Sequence, residues 1–173
     1  MQMYKIFFIT ISLIILSHIQ PQEIKAGELP ELSAECIKKM EERDEQFTRL
    51  IMQDIISSFQ LDIDEHAYIE VSFRDLEAAK MIYNGKEKDD YYDSLKKQFI
   101  VSSRGEPRLF IRPQEAYFLY KEPNNTDVMI HLQLSGTTWE AVDQKKKKGN
   151  NIEYKLLTCE KEYIEKKKKY YQN

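Results

Sequence analysis

Residues 108–142, RLFIRPQEAYFLYKEPNNTDVMIHLQLSGTTWEAV, decide the fold class. Runs 109–111 and 116–120 are dense in aromatic and branched side chains, which suit a pleated, half-buried surface. Pro113 interrupts them and marks an edge or a bulge, because proline has no N–H to give to a ladder. Pro123-Asn124-Asn125-Thr126-Asp127 is turn chemistry. Residues 128–134 then alternate apolar and polar, with Met129 fitting neither side of the alternation. After Ser135-Gly136, residues 137–142 continue as strand. Residues 145–151, KKKKGNN, read as a basic turn, and residues 152–159 as a last strand. Strands separated only by short turns leave no room for parallel crossovers, so the expected sheet is an antiparallel meander.

Upstream the period changes. Residues 30–60 place Cys36, Ile37, Met40, Phe47, Leu50, Ile51, Ile55 and Phe59 at three- and four-residue steps, one apolar stripe of a long helix. Lys38, Lys39, Glu42, Arg43, Glu45 and Arg49 take the opposite face. Pro30 suits a first helical turn, and Ser33 would cap a later start. Residues 43–46 carry no apolar group, so a bend or break is expected there. Residues 66–73 alternate as a half-buried strand. Residues 74–83 read as a helix stopped by Asn84-Gly85, residues 87–101 as a second short helix, and residues 102–107 as a loop. The expected fold is α+β: N-terminal helices, one of them long, packed on a C-terminal antiparallel sheet of four to five strands.

The ends of the chain have a different character. A short charged start leads into an unbroken apolar run at residues 6–17, the pattern of a secretory signal and shorter than the roughly 20 residues of a membrane-crossing helix. Ile24-Lys25-Ala26 offers a small residue before Gly27. The expected organisation is a signal peptide at 1–26, one α+β domain at 27–159 and a lysine-rich tail at 160–173. The protein is then expected to be secreted or periplasmic. Two cysteines in an exported chain favour pairing, so Cys36–Cys159 is the expected disulfide, against the alternative of two separate buried thiols.

The formal net charge of −3 conceals an acidic front half and a basic rear half. The simplest account is mutual neutralisation; the functional one is a basic face offered to a polyanion or an anionic membrane. Lys145, Lys146, Lys147 and Lys148 form one candidate cluster, and Lys166, Lys167, Lys168 and Lys169 a second, beside Tyr170 and Tyr171. Charge runs are usually solvated, so only weak, salt-sensitive association is expected, and no nucleic acid. Asn124-Asn125-Thr126 is a glycosylation sequon, relevant only in a eukaryotic host.

Catalytic signatures are sparse. His66 follows Asp62, Asp64 and Glu65, but the spacing fits neither a calcium loop nor a zinc-protease helix, so no metal site is expected. No nucleophile elbow and no phosphate-binding glycine loop occurs, and no cofactor is implied. His131, in an alternating strand beside Gln133, is the one candidate general base. Tyrosines on the expected strands (Tyr68, Tyr117, Tyr120 and Tyr154) suggest an aromatic-lined sheet face. The expected function is an exported, non-enzymatic binding or interaction protein for a protein, peptide or small-molecule partner. A small enzyme using His131 and a surface-attached protein using the lysines are the alternatives.

Overall fold

A computed structural model describes residues 30–64, 66–82 and 88–172. The signal peptide expected at 1–26, the Asn84-Gly85 stop and Glu65 lie outside these residues. Helix α1 runs Ala34–Phe59, followed by strand β1, Ile69–Val71, helices α2, Phe73–Ile82, and α3, Lys88–Lys96, and a 3-10 turn, Lys97–Phe99. Strands β2, Arg104–Arg112, β3, Glu115–Lys121, β4, Thr126–Ser135, and β5, Thr138–Lys148, come next, and helix α4, Thr158–Gln172, ends the described chain. The five strands lie in sequence order and every neighbouring pair is antiparallel. The fold is α+β, with a long helix first and the meander after it. Among the described residues no helix is long and apolar enough to cross a membrane.

Two compact units divide the chain, and the fold described here is the one spanning Leu32–Glu162. The later part of α4 belongs to the other unit, and Lys166, Lys167, Lys168 and Lys169 are exposed on it.

Helix α1 starts where Ser33 caps it, its side chain accepting from the Cys36 backbone N–H at 3.2 Å. Glu35 in the first turn complements the helix dipole. The helix ends where Gln60 turns left-handed at φ 54° and its N–H closes back on the last carbonyls. It runs unbroken through residues 43–46, where Arg43, Asp44 and Glu45 find partners outside the helix. The buried stripe is Cys36, Phe47, Thr48, Ile51, Met52 and Ile55. Ile37 and Leu50, read as part of it, are exposed.

The sheet is covered on both faces. On one, Phe47, Ile51, Met52 and Ile55 of α1 pack with Phe110, Leu119 and Met129, and with Tyr68. On the other, Leu76 of α2 and Leu95 of α3 pack with Leu109, Phe118, Tyr120, Val128, Leu132 and Trp139. Double coverage explains why 109–111 and 116–120 run apolar without alternating, and Met129 now has its place on the α1 face. Each of the fully buried large side chains contributes about 1.5–3 kcal/mol. Helix α1 approaches the sheet closely at Gly105, which has φ +68° and whose absent Cβ would lie 2.9 Å from Ile51 Cδ1.

Several boundaries differ from the sequence reading. Residues 152–157 form no strand, and Cys159 lies in the first turn of α4. The fifth strand is supplied by Ile69–Val71, and β2 begins at Arg104, within the expected loop. Lys145, Lys146, Lys147 and Lys148 extend β5 rather than turning. An edge strand pairs on one side only, so lysines can stay solvated while the backbone joins the ladder, and they discourage further pairing.

Cys36 and Cys159 are disulfide-bonded, with Cα atoms 6.1 Å apart and 123 residues of separation. The bridge ties the first turn of α1 to the first turn of α4. The extended stretch before α4 is held along α1 as well. Arg43 donates to the Lys155 carbonyl at 3.0 Å and to Glu160 at 2.8 Å, and its guanidinium lies 4.2 Å from the Tyr154 ring centre. Six polar and aromatic contacts thus replace the ladder that a sixth strand would have provided, counting also Tyr154 on Asp44, Tyr154 on Phe47 and Leu157 N–H on Glu160.

Candidate functional site: an acidic cleft and a histidine cluster

Where α1 leaves the β1–β2 side of the sheet, a cleft of about 1000 Å³ opens. Glu41, Asp44 and Glu45 reach it together because residues three and four apart share a helix face. Glu70 comes from β1, Glu106 from β2, and Asp75 from the start of α2. Six carboxylates therefore line the cleft against two guanidinium groups, Arg74 and Arg108. Phe47, Thr48 and Tyr154 supply the less polar wall.

Arg108 is the fixed point of the cleft. Its side chain is only 7% exposed, and it faces Glu45 at 3.0 Å, Glu70 at 2.9 Å and Glu106 at 2.5 Å. Burial works against its charged form, but these carboxylates outweigh it and the guanidinium's pKa is raised. One cation thus gathers carboxylates from three elements that share no sequence neighbourhood. Asp75 is committed otherwise: it accepts from the Ser72 N–H at 2.9 Å and hydroxyl at 2.6 Å, while Ser72 Oγ accepts from the Asp75 N–H. This reciprocal box caps α2 and holds the Asp75 carboxyl below the ordinary aspartate range.

His131 lies elsewhere on the α1 face, outside the cleft lining. Its Nε2 is 2.8 Å from Glu115, and its ring stacks on Tyr117 with centres 4.9 Å apart. The pairing follows from register, since Tyr117 and His131 are directly opposite on β3 and β4. Glu115 also accepts from the hydroxyls of Tyr68 at 3.1 Å and Tyr117 at 3.3 Å, and pairs with Arg112. Burial would raise the Glu115 carboxyl, but Arg112, Tyr68 and His131 together hold it below the usual range. Burial and the neighbouring Glu115 charge push the Tyr68 hydroxyl up to about 12. A carboxylate that orients an imidazole is half of a general-base arrangement. No serine, threonine or cysteine joins it among the described contacts, and no trio of His, Cys, Asp or Glu able to hold a metal occurs among the described residues.

The remaining sequence candidates scatter. His66 is exposed, its N–H donating to Asp64 in a local turn. Asn124 sits exposed in the β3–β4 turn with its Oδ1 accepting from the Thr126 N–H at 2.9 Å. Each lysine of β5 has a local partner: Lys145 pairs with Asp143, Lys146 with Glu122, Lys147 with the Ser58 carbonyl and Lys148 with the Asn124 carbonyl. Of the tyrosines, Tyr68 and Tyr117 join the histidine cluster and Tyr154 lines the cleft, while Tyr120 is buried on the opposite face. The sequence reading missed Arg108 and the cleft altogether. The one available signal was a charged residue opening an apolar run, which is ambiguous until the helix is placed on it.

Comparison with protein-family models, with curated proteins and with solved structures gave no match.

Proposed function

We propose that the protein is an exported, non-enzymatic binding protein whose cleft takes a lysine- or arginine-rich segment of a partner polypeptide. The observation that carries this reading is the lining: six carboxylates against two guanidinium groups in a volume suited to a few side chains. Arg108 is already neutralised by Glu45, Glu70 and Glu106, so the field at the mouth is negative. Export is supported by the short apolar segment at residues 6–17 and by the disulfide, which persists in oxidising compartments.

Calorimetry of the full chain with an oligo-arginine peptide tests the reading. Binding is expected to weaken steeply with salt, and the Glu41→Lys variant to lose about fivefold or more. Equal affinity for an oligo-glutamate peptide, or no response to Glu41→Lys, would sink the proposal. The His131–Glu115 pair supports a second reading, a small enzyme with His131 as base. Turnover of any substrate that His131→Gln abolishes in the folded protein would favour it.

A further inference from the structure

On the same α1 face of the sheet lies a second group of charges, sealed rather than open. Lys121, the last residue of β3, stands directly opposite Asp127 on β4. The side chains of both are 0% exposed, and Nζ of Lys121 contacts Oδ1 of Asp127. Asp54, delivered by α1, places its Oδ2 2.6 Å from the same Nζ with its side chain 9% exposed. Asn150 aims Asp54 by donating its backbone N–H to Oδ2 at 2.9 Å and its side-chain amide to Oδ1. The backbone at Gly149 closes the lid: a Cβ there would overlap both the Lys121 amine and the Asp127 carboxyl. Asp127 Oδ2 is buried and has no hydrogen-bond partner.

An amine, a carboxyl and a second carboxylate touching the amine, all shut away from water, are the components of an intramolecular condensation. We propose that Lys121 and Asp127 join as an isopeptide bond, with Asp54 as the catalytic residue that moves the protons. Lys121 gives a proton to the Asp127 carboxylate, which leaves a neutral amine facing a neutral carboxylic acid. The nitrogen lone pair attacks Cγ of Asp127 and a C–N bond forms. Asp54 takes the proton released by nitrogen and hands it to the departing hydroxyl. The C–O bond breaks and one water leaves. Nothing is oxidised or reduced, and Asp54 ends as it began.

Two physical arguments favour completion. Fixed neighbouring strands and a helix hold the groups in place, and well-oriented intramolecular reactions reach effective concentrations of about 10⁵–10⁸ M. The reaction also removes a charge pair that is expensive to keep buried, leaving a neutral amide in its place. Reversal would need water at a site whose side chains have none of their surface exposed. Oδ1 of Asp127, which takes the Lys121 proton, is the oxygen that leaves, and the unpartnered Oδ2 becomes the amide carbonyl oxygen.

Mass spectrometry of the full chain decides the matter. Trypsin cuts an unmodified chain after Lys121 and gives peptides 109–121 and 122–145 at full mass. The crosslinked protein instead gives one peptide, 109–145, lighter by one water and yielding no fragments between residues 121 and 127. Lys121→Arg abolishes the mass loss. Asp54→Ala abolishes it or slows it at least tenfold in protein that circular dichroism shows to be folded. Asp127→Asn loses ammonia instead of water and arrives at the same product mass as the parent. Cleavage of the parent after Lys121 with both peptides at full mass would overturn the proposal, whether or not any variant folds. Crosslinking of Asp54→Ala at the parental rate would remove Asp54 from the chemistry.

Discussion

The α1 face of the sheet carries two buried cations, and they are accommodated differently. Arg108 meets Glu45, Glu70 and Glu106, whose side chains are 55%, 51% and 44% exposed, so its partners remain hydrated. Lys121 meets Asp54 and Asp127, at 9% and 0%, so its partners have almost no water to fall back on. Removing the cation from the first group leaves carboxylates that solvent can absorb. Removing the cation from the second leaves two uncompensated carboxylates in a sealed site. The same pairing of opposite charges is therefore open to solvent at one site and sealed at the other. Exposure separates the roles, since the cost of desolvating an ion exceeds most of what an ion pair returns.

The largest effect expected from this contrast is at the sealed end. Lys121→Met should lower stability by about 3–5 kcal/mol, read as a shift in the urea midpoint, because Asp54 and Asp127 are left in the interior without the amine between them. A loss below about 1 kcal/mol would mean that water reaches the site. Next in size, reducing the Cys36–Cys159 bridge should cost about 2–4 kcal/mol, checked by denaturation with and without reductant. Arg108→Met should cost less, about 1–2 kcal/mol, because its three carboxylates can rehydrate. Equal losses for Arg108→Met and Lys121→Met would break the comparison outright.

Titration gives the finest test. Burial acts to raise the Asp54 carboxyl, but hydrogen bonds from Lys121 and Asn150 prevail and its pKa is lowered, as is that of Glu115. A carboxyl with a depressed folded-state pKa stabilises above its unfolded value, so this contribution is full above about pH 5 and lost as the pH falls through about 4 and below. The tyrosines work the other way. Burial, aided by Glu115 at Tyr68 and by Asp44 at Tyr154, pushes both hydroxyls up to about 12. Their contribution is full below about pH 10 and lost as the pH rises through 12. Absorbance titration of tyrosinate should show Tyr68 and Tyr154 ionising late, and Glu115→Gln should bring Tyr68 forward while leaving Tyr154 late. A common shift of both would refute the local cause.

Legibility in the sequence followed the range of the interaction. The long helix was readable because its stripe repeats every three to four residues, yet Ile37 and Leu50 were misplaced within it. Position on the stripe depends on how α1 rotates against the sheet, and no local pattern encodes that angle. Residues 152–157 looked like a strand because apolar and polar groups alternate there; they lie extended along α1, held by Arg43 and its neighbours. Extended backbone and strand share one side-chain period, and only a ladder partner distinguishes them. His131 was found as a residue but not as a pair, since Glu115 becomes its neighbour only through sheet register.

By itself the sequence determined the α+β class, the antiparallel meander and the cysteine pairing, because periodicity, turn residues and an even cysteine count act over short distances or few alternatives. The tertiary structure alone decided which charges meet. Glu45, Glu70 and Glu106 converge on Arg108, and Asp54 reaches Lys121 across 67 residues, because α1 lies over the strands that carry both cations. A lysine at the end of a strand reads as a solvated edge until a helix closes over it. Burial then encloses that ordinary charge completely, and burial is a property of the packed elements rather than of any residue in the chain.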